Sequence, residues 1–514
     1  MFKWMPALAV LLASLPLLVH DALPLSSDSS YHLQWIRSAS ASFEQGTWYP
    51  RWVADCNDGY GAPIFVFYPP LASFGAGLLS RNPVEALRWG WVAWLAAAAL
   101  SYYLSTRPLY GRPAAAAGAC LYTLLPYHLF DLYDRGAFGE FVGLVWLPPL
   151  LALCELGPLT RRRWLVLVLV MVGLLLSHPM LALMAAVAWT GWAGGRLAWL
   201  RHNGVALLGA SALALALSAF YWLPMLVETP RVQLEQHFSG DHYHWRRNLL
   251  FVTETDLGYQ PDVCKPWATV AATTTLLLTL GGLALGTRAG RPWGTLSLLS
   301  FVLQTPLSVP IWEHLPWLSR VQFPWRFGAL QMVGCCLLWS CLLKEHNGRR
   351  VWWVLAVLAT PALLGAGATA LRARPYTLTR TLAESALLRM RSVPEYTPVL
   401  QAGTSLDGTA RCWGDGPLQG EVERWGEHQR VIRLRLQQSG RVWLRTLQYP
   451  GWRARLDRQP VPLLPGPLLS VNVGSGDHIL EFAFETTLER RRAARVSLVA
   501  LGIWLVILLG SRRP

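Results

Sequence analysis

The sequence predicts a mainly α, polytopic membrane protein that carries a small β-sandwich just before its last helix. Three observations lead there. Apolar runs approaching the ~20 residues needed to cross a bilayer recur along most of the chain. Only 15% of the 514 residues are charged, where a soluble protein carries about a quarter. From Gly420 onward the pattern changes to period-two alternation broken by turn signals such as Tyr449-Pro450-Gly451-Trp452, the signature of short antiparallel strands.

The formal charge of +15 does not point to nucleic acid. The arginines fall in short loops between apolar runs, where a membrane protein collects them on its cytoplasmic side. Nucleic acid is therefore excluded as a partner, and membrane lipid is expected as one. Of the eight cysteines, Cys120, Cys154, Cys335, Cys336 and Cys341 lie in apolar runs and act as small hydrophobes. No CxxC pair suggests structural zinc. A bridge between Cys56 and Cys264 is open to the chain only in an oxidising compartment.

The basic loops set the order of the spans. Lys3 holds the N-terminus inside. The first apolar run, 5–23, lacks a small-x-small cleavage site before Asp28, so it reads as an uncleaved span. It delivers a first outer loop, 24–83, in which 65–79 is too short and Pro-broken to cross and dips into the interface. Span two, 84–105, leads to Arg107 and Arg112 inside. Span three, 113–130, emerges at the loop Asp131 to Glu140, and span four, 141–156, returns to Arg161-Arg162-Arg163. A hairpin over 164–192 has Ser177-His178-Pro179 at its outer tip. Span seven, 205–227, opens a third outer loop, 228–266, whose His237, His242 and His244 are spaced too loosely for a metal set. Spans eight and nine bracket Arg288 and Arg291. Arg326 opens span ten, span eleven covers 351–371, and the last span, 496–509, ends at Arg512-Arg513. That makes about twelve spans with both termini inside. Three regions follow: a transmembrane domain 1–371, an extracytoplasmic region 372–494 ending in the sandwich, and a final helix with basic tail, 495–514.

The chemistry concentrates in the outer loops. Asp28 is a candidate base or metal-held carboxylate, and alternatively the N-cap of a helix starting near Ser29. His32 lies one helical turn on and shares its face. Asp134, Arg135 and Glu140 stand at the mouth of span three, where charge at a membrane edge is costly and usually has a purpose. Arg135 and Arg326 are phosphate candidates through the planar guanidinium fork. Arg51 beside Trp52 reads equally as a snorkelling anchor. His178 before Pro179 reads as a site residue or a structural histidine, Glu140 as a second carboxylate, and Tyr68 as a substrate-facing ring.

Several passages together resemble one family of bacterial integral membrane proteins. They are Asp28-x-x-Tyr31-His32, Tyr49-Pro50-Arg51-Trp52, Gly59-Tyr60-Gly61-Ala62-Pro63 with Phe67-Tyr68-Pro69-Pro70, and Tyr133-Asp134-Arg135-Gly136-Ala137 with Glu140. Further along are Ser177-His178, Phe220-Tyr221-Trp222-Leu223-Pro224, Gln322-Phe323-Pro324-Trp325-Arg326, and the sandwich passages at Tyr449-Trp452 and Gly476-Phe482. The family is labelled 6-pyruvoyl-tetrahydropterin-synthase-related, is akin to the YfhO-type proteins, and has the class C glycosyltransferase (GT-C) fold. Its label invites a pterin reading, but no organised zinc-histidine set or nucleophile supports one.

The resemblance implies a glycosyltransferase of the bacterial inner membrane with its site on the extracytoplasmic face. It would take a sugar from a polyprenyl-phosphate-linked donor and pass it to a glycan, lipid or protein acceptor of the cell envelope. The resemblance also implies an essential acid in the first outer loop. By position this is Asp28, although Asp21 precedes it. A divalent cation, Mg or Mn, is an option at Asp28, and no other cofactor is implied. Two other readings stay open. A transporter or flippase for lipid-linked sugars would favour polar residues in mid-span and repeated halves, neither of which is evident. A non-catalytic assembly factor would bind a polymer through the sandwich.

Overall fold

The structure, a computed structural model, describes residues 4–19, 23, 26–194, 196–234, 244–252, 264–286, 288–346, 393–400, 406 and 410–510. The expected span at 351–371, the stretch 372–392, and His237 and His242 lie outside the described residues.

Helix α1 (Met5–Val19) leads to the amphipathic α2 (Ser29–Glu44), which buries His32, Leu33, Trp35 and Ile36. Glycines and prolines then break the chain into single turns, α3 (Cys56–Gly59) and α4 (Ile64–Phe67), before α5 (Pro70–Gly77). The segment expected to dip rather than cross is therefore two short helices. Helix α6 (Pro83–Tyr110) starts where the Asn82 side chain accepts from the Val84 and Glu85 amides, satisfying two donors that a helix start leaves open. Next come α7 (Arg112–Leu124), α8 (Pro126–Phe130), and a π-helical turn, Asp131–Arg135.

The expected fourth span is interrupted between α9 (Phe138–Leu144) and α10 (Leu147–Glu155). Two prolines at the start of α10 lack the amide that would continue the helix. The hairpin appears as α11 (Arg161–Ser177) and α12 (Pro179–Gly194), divided at His178, and the seventh span as α13 (Leu197–Leu217) and α14 (Ala219–Glu228), divided at Ser218. Helices α15 (Lys265–Ala284), α16 (Arg291–Val302), α17 (Val309–His314) and α18 (Gly328–Glu345) complete the frame, and α19 (Leu488–Leu509) follows the sheets.

Where about twelve spans are expected, four described helices are long and apolar enough to cross a membrane: α13, α15, Pro324–Glu345 with α18, and α19. A fifth forms if α16 and Pro306–His314, bent by 90°, count as one. The other apolar helices are shorter or, like α6 with its Trp, Tyr and Ser residues, less apolar over a membrane's thickness. Helix α18 is the hub, buried from Gly328 to Leu343 and apolar on every side. Helix α19 is the opposite, with exposed Leu498, Val499 and Val506 along its length.

The sandwich begins earlier than the alternation suggests, at β1 (Cys412–Gly414), followed by β2 (Leu418–Trp425), β3 (Gln429–Leu436) and β4 (Gly440–Leu447). Then come β5 (Trp452–Leu456), β6 (Gln459–Val461), β7 (Leu468–Val473) and β8 (Gly476–Phe484). One antiparallel sheet runs β1-β4-β7 and the other β2-β3-β8-β5-β6. Along β3, Ile432, Leu434 and Leu436 point inward while Arg433 and Arg435 face outward, as a half-buried strand requires.

The last helix does not simply tether this sandwich. Its core continues into the first loop through Trp52, Tyr60, Val66 and Phe67. Leu447 N donates to Tyr60 O at 2.8 Å. Glu427, at the β2–β3 turn, accepts from Ser38 Oγ at 2.8 Å and Ala54 N at 2.9 Å. The segment 393–400 is stapled to the same loop. Asn57 Oδ1 accepts from Val393 N (3.3 Å) and Thr397 Oγ1 (3.1 Å), and Tyr396 stacks on Phe67 at 5.9 Å.

Candidate functional site

The π-helical turn Asp131–Arg135 ends at Gly136, whose φ is +67°. Such turns insert an extra residue into a helical ladder and recur at functional sites. A side chain at Gly136 would begin 2.0 Å from Ser26 Oγ, so only glycine lets the loop before α2 lie on the turn. Ser27 N donates to Asp134 O at 3.2 Å and Asp28 N to Arg135 O at 2.9 Å. Backbone pairing thus sets Asp28 and Arg135 side by side.

Beneath them sits Glu140, in the first turn of α9 and 1% exposed. Its Oε1 accepts from the Tyr127 hydroxyl at 2.5 Å and its Oε2 from Arg135 Nη1 at 2.9 Å. Arg326 Nε and His178 Nε2 lie 3.4 and 3.9 Å from that same Oε2. Arg135 Nη1 also donates to Asp131 Oδ1 at 3.0 Å. Arg326 Nη1 donates to Val321 O at 2.8 Å, with the Phe323 ring 5.1 Å from its guanidinium carbon. His178 Nδ1 accepts from Leu181 N at 3.0 Å. That bond caps α12 and leaves the proton on Nε2, facing Glu140. His178 thus breaks the helix, as one expectation has it, and its ring also stands beside Glu140. Glu140, expected as a second catalytic carboxylate, is sealed from solvent and serves as the counter-ion that gathers two guanidinia.

Asp28 is half-buried, and its side chain makes no capping bond to α2. It shares its electrostatic surroundings with Arg135, Arg326, Tyr68 and Glu395. The Tyr68 ring packs 4.3 Å from Trp35, and its hydroxyl lies against Gly139, where a Cβ would come within 2.9 Å of it.

His32 does not engage Asp28 through its ring. It is 1% exposed, packs among Trp35, Phe138 and Tyr68, and its Nε2 accepts from Phe138 N at 3.3 Å. Burial holds its pKa down to about 3. It is a neutral histidine that fixes the start of α9, with its ring nitrogen turned to Phe138 N and not to Asp28. Asp131 is fully buried, and burial followed by the neighbouring Glu140 charge pushes its carboxyl well up.

Arg51 is elsewhere. It donates to Phe220 O at 3.0 Å, with the Tyr49 ring 4.4 Å away, near the buried pair Glu228–Arg490. Asp134 contributes its carbonyl, and its side chain is half-buried. His244 caps the turn Trp245–Asn248. Cys56 donates to Gln34 Oε1 at 3.6 Å while Cys264 sits by Ser27, so the two thiols are not paired. Among the described residues no three His, Cys, Asp or Glu side chains converge on a point that could hold a metal ion. A single carboxylate such as Asp28 would hold Mg or Mn only together with a substrate's phosphate, and no step is routed through a metal.

Sequence reasoning missed Tyr127, Asp131 and Glu395. Asp131 carried a usable signal, an acid at the end of an apolar run. Tyr127 looked like any interfacial tyrosine, and Glu395 is far from the loops in sequence.

No family model and no curated protein matches the chain. Among solved structures it is similar to the cryo-EM structure of the arabinofuranosyltransferase AftD from Mycobacteria, with 14% identity over 76% of this chain and a TM-score of 0.46. A mutant of that enzyme gives 15% identity over 76% of the chain and a TM-score of 0.44. The chain spans only 27% and 28% of those two chains.

Proposed function

We propose that this chain is a membrane glycosyltransferase. In this reading it moves a sugar from a polyprenyl-phosphate-linked donor to a cell-envelope acceptor on the extracytoplasmic face. One observation carries the reading: Arg135 and Arg326 converge on a single Glu140 oxygen, at 2.9 and 3.4 Å, beside a half-buried Asp28. Arg135 holds Glu140 and Asp131 through Nη1, and Arg326 holds Val321 O through Nη1; with five N–H donors on each guanidinium, both keep donors to spare for a substrate phosphate.

Glycosyl transfer needs that arrangement. Asp28 takes the proton of the acceptor hydroxyl as its oxygen attacks the anomeric carbon. The bond from that carbon to the phosphate oxygen breaks, and the electron pair leaves with the phosphate. Arg135 and Arg326 meet the charge that grows there. Glu140, His178 and Tyr127 position the arginines, and Tyr68 offers a ring face and hydroxyl next to the sugar. The test is a transfer assay in proteoliposomes with lipid-linked donor. Asp28→Asn should abolish transfer while membrane insertion stays normal, and full activity in that variant would refute the assignment of the base.

A further inference from the structure

A second cationic cleft, of about 540 Å³, lies where the frame meets the sandwich. Arg231 reaches it from the turn after α14, Arg453 from β5, and Arg491 from the first turn of α19. All three are exposed, and none makes an ion pair among the described residues, whereas neighbouring Arg490 and Arg455 are bound to Glu228 and Glu485. Of the two acids in the lining, Glu485 pairs with Arg455 at 3.6 Å, and Glu489 is held first by its own amide and Thr487 at the helix start, with Arg231 and Arg492 as more distant charges.

The level of the cleft is informative. Leu226 and Val227 on α14, and Leu488 and Val496 on α19, are exposed beside it, each by 46% or more. Exposed aliphatic and cationic side chains thus lie within about two helical turns of each other on α19, as at a membrane's apolar–polar boundary.

We propose that this cleft binds the phosphate-bearing headgroup of an anionic lipid in the leaflet on the sandwich side. Guanidinium forks match phosphate oxygens in pairs, and basic groups at this depth gain from anionic lipid. The bound headgroup bridges α14, α19 and β5, the elements that join sandwich to frame. The inference stands apart from the transfer reading, because Asp28→Asn should leave lipid retention unchanged.

The experiment is native mass spectrometry of the full chain from mild detergent. The chain is offered phosphatidylglycerol, phosphatidylcholine or inorganic phosphate. Phosphatidylglycerol should be retained over phosphatidylcholine. Arg231→Gln, Arg453→Gln and Arg491→Gln should each weaken that retention about fivefold, and the triple variant should lose the preference. Undiminished retention in the triple variant overturns the proposal. So does displacement by equimolar inorganic phosphate, which would make the occupant a free anion. Arg231 and Arg453 lie on the surface, so their single variants keep the test decisive if the triple variant fails to fold.

Discussion

At the junction of frame and sandwich, Arg490 meets Glu228 through two parallel bonds of 2.8 and 2.7 Å, the guanidinium 0% and the carboxylate 3% exposed. At the rim of the frame, Arg135 and Arg326 share one oxygen of Glu140, with side chains 7% and 14% exposed. Both contacts are buried, and both join distant parts of the chain. The first is closed, one charge to one charge, with the bidentate geometry that Arg and carboxylate prefer. The second is shared: two guanidinia meet on Glu140, and Arg135 also holds Asp131 at 3.0 Å. The contrast teaches that how the charges are shared, more than burial, separates a one-to-one fastening from a cluster whose guanidinia keep donors to spare.

The comparison can be broken most sharply at Asp28. Asp28→Asn should cut transfer by about 10²- to 10⁴-fold with no change in the thermal midpoint. A variant that also unfolds early would make Asp28 part of the fastening. Next is Glu228→Gln, which strands the Arg490 charge in the interior. It should cost about 3–5 kcal/mol, seen as a lower unfolding midpoint, and an unchanged midpoint would erase the distinction between the two contacts.

Arg326→Gln should sharpen the other side. It should raise the donor KM by roughly ten- to a hundredfold, the worth of one charged hydrogen bond, while the midpoint moves little. Arg326→Lys should recover only part of this, because an ammonium lacks the fork.

A smaller effect is expected with pH. His428, at the β2–β3 turn, is held to about 4 by burial and then by Arg430, against an ordinary 6.5. Its neutral form belongs to the folded state, so its contribution is full above pH 6.5 and is lost as pH falls towards 4. A loss on the order of 2 kcal/mol should appear in acid unfolding of the wild type, and His428→Phe should flatten that limb. Smallest of all is Asp477→Asn. It breaks the exposed pair with Arg435 (2.6 Å), and the unfolding midpoint should not move measurably.

Much of the fold was legible where periodicity carries it. The alternation in β3 and β4, the breaks at His178 and at Pro69-Pro70, and the apolar run of α18 all follow from side-chain spacing. Span counting was less secure. A run of apolar residues does not say whether prolines, as at the start of α10, will divide it into two short helices. The site was legible as a set of charged residues at loop mouths, but not as an arrangement. Arg51 and Arg326 look alike in sequence, each beside a tryptophan, and only the fold sends one to Phe220 O and the other to Glu140.

The amino-acid sequence by itself determined an apolar helical frame, a late β-sandwich and a set of acids and arginines placed at the ends of apolar runs. These are local properties, set by composition and spacing along a few turns. Only the tertiary structure decided that Glu140 would be buried as a counter-ion, that His32 would be neutral, and that the sandwich would close over the first loop. Each depends on which groups meet across more than a hundred residues and on how much water remains between them, and burial fixes a charge only once those partners are in place.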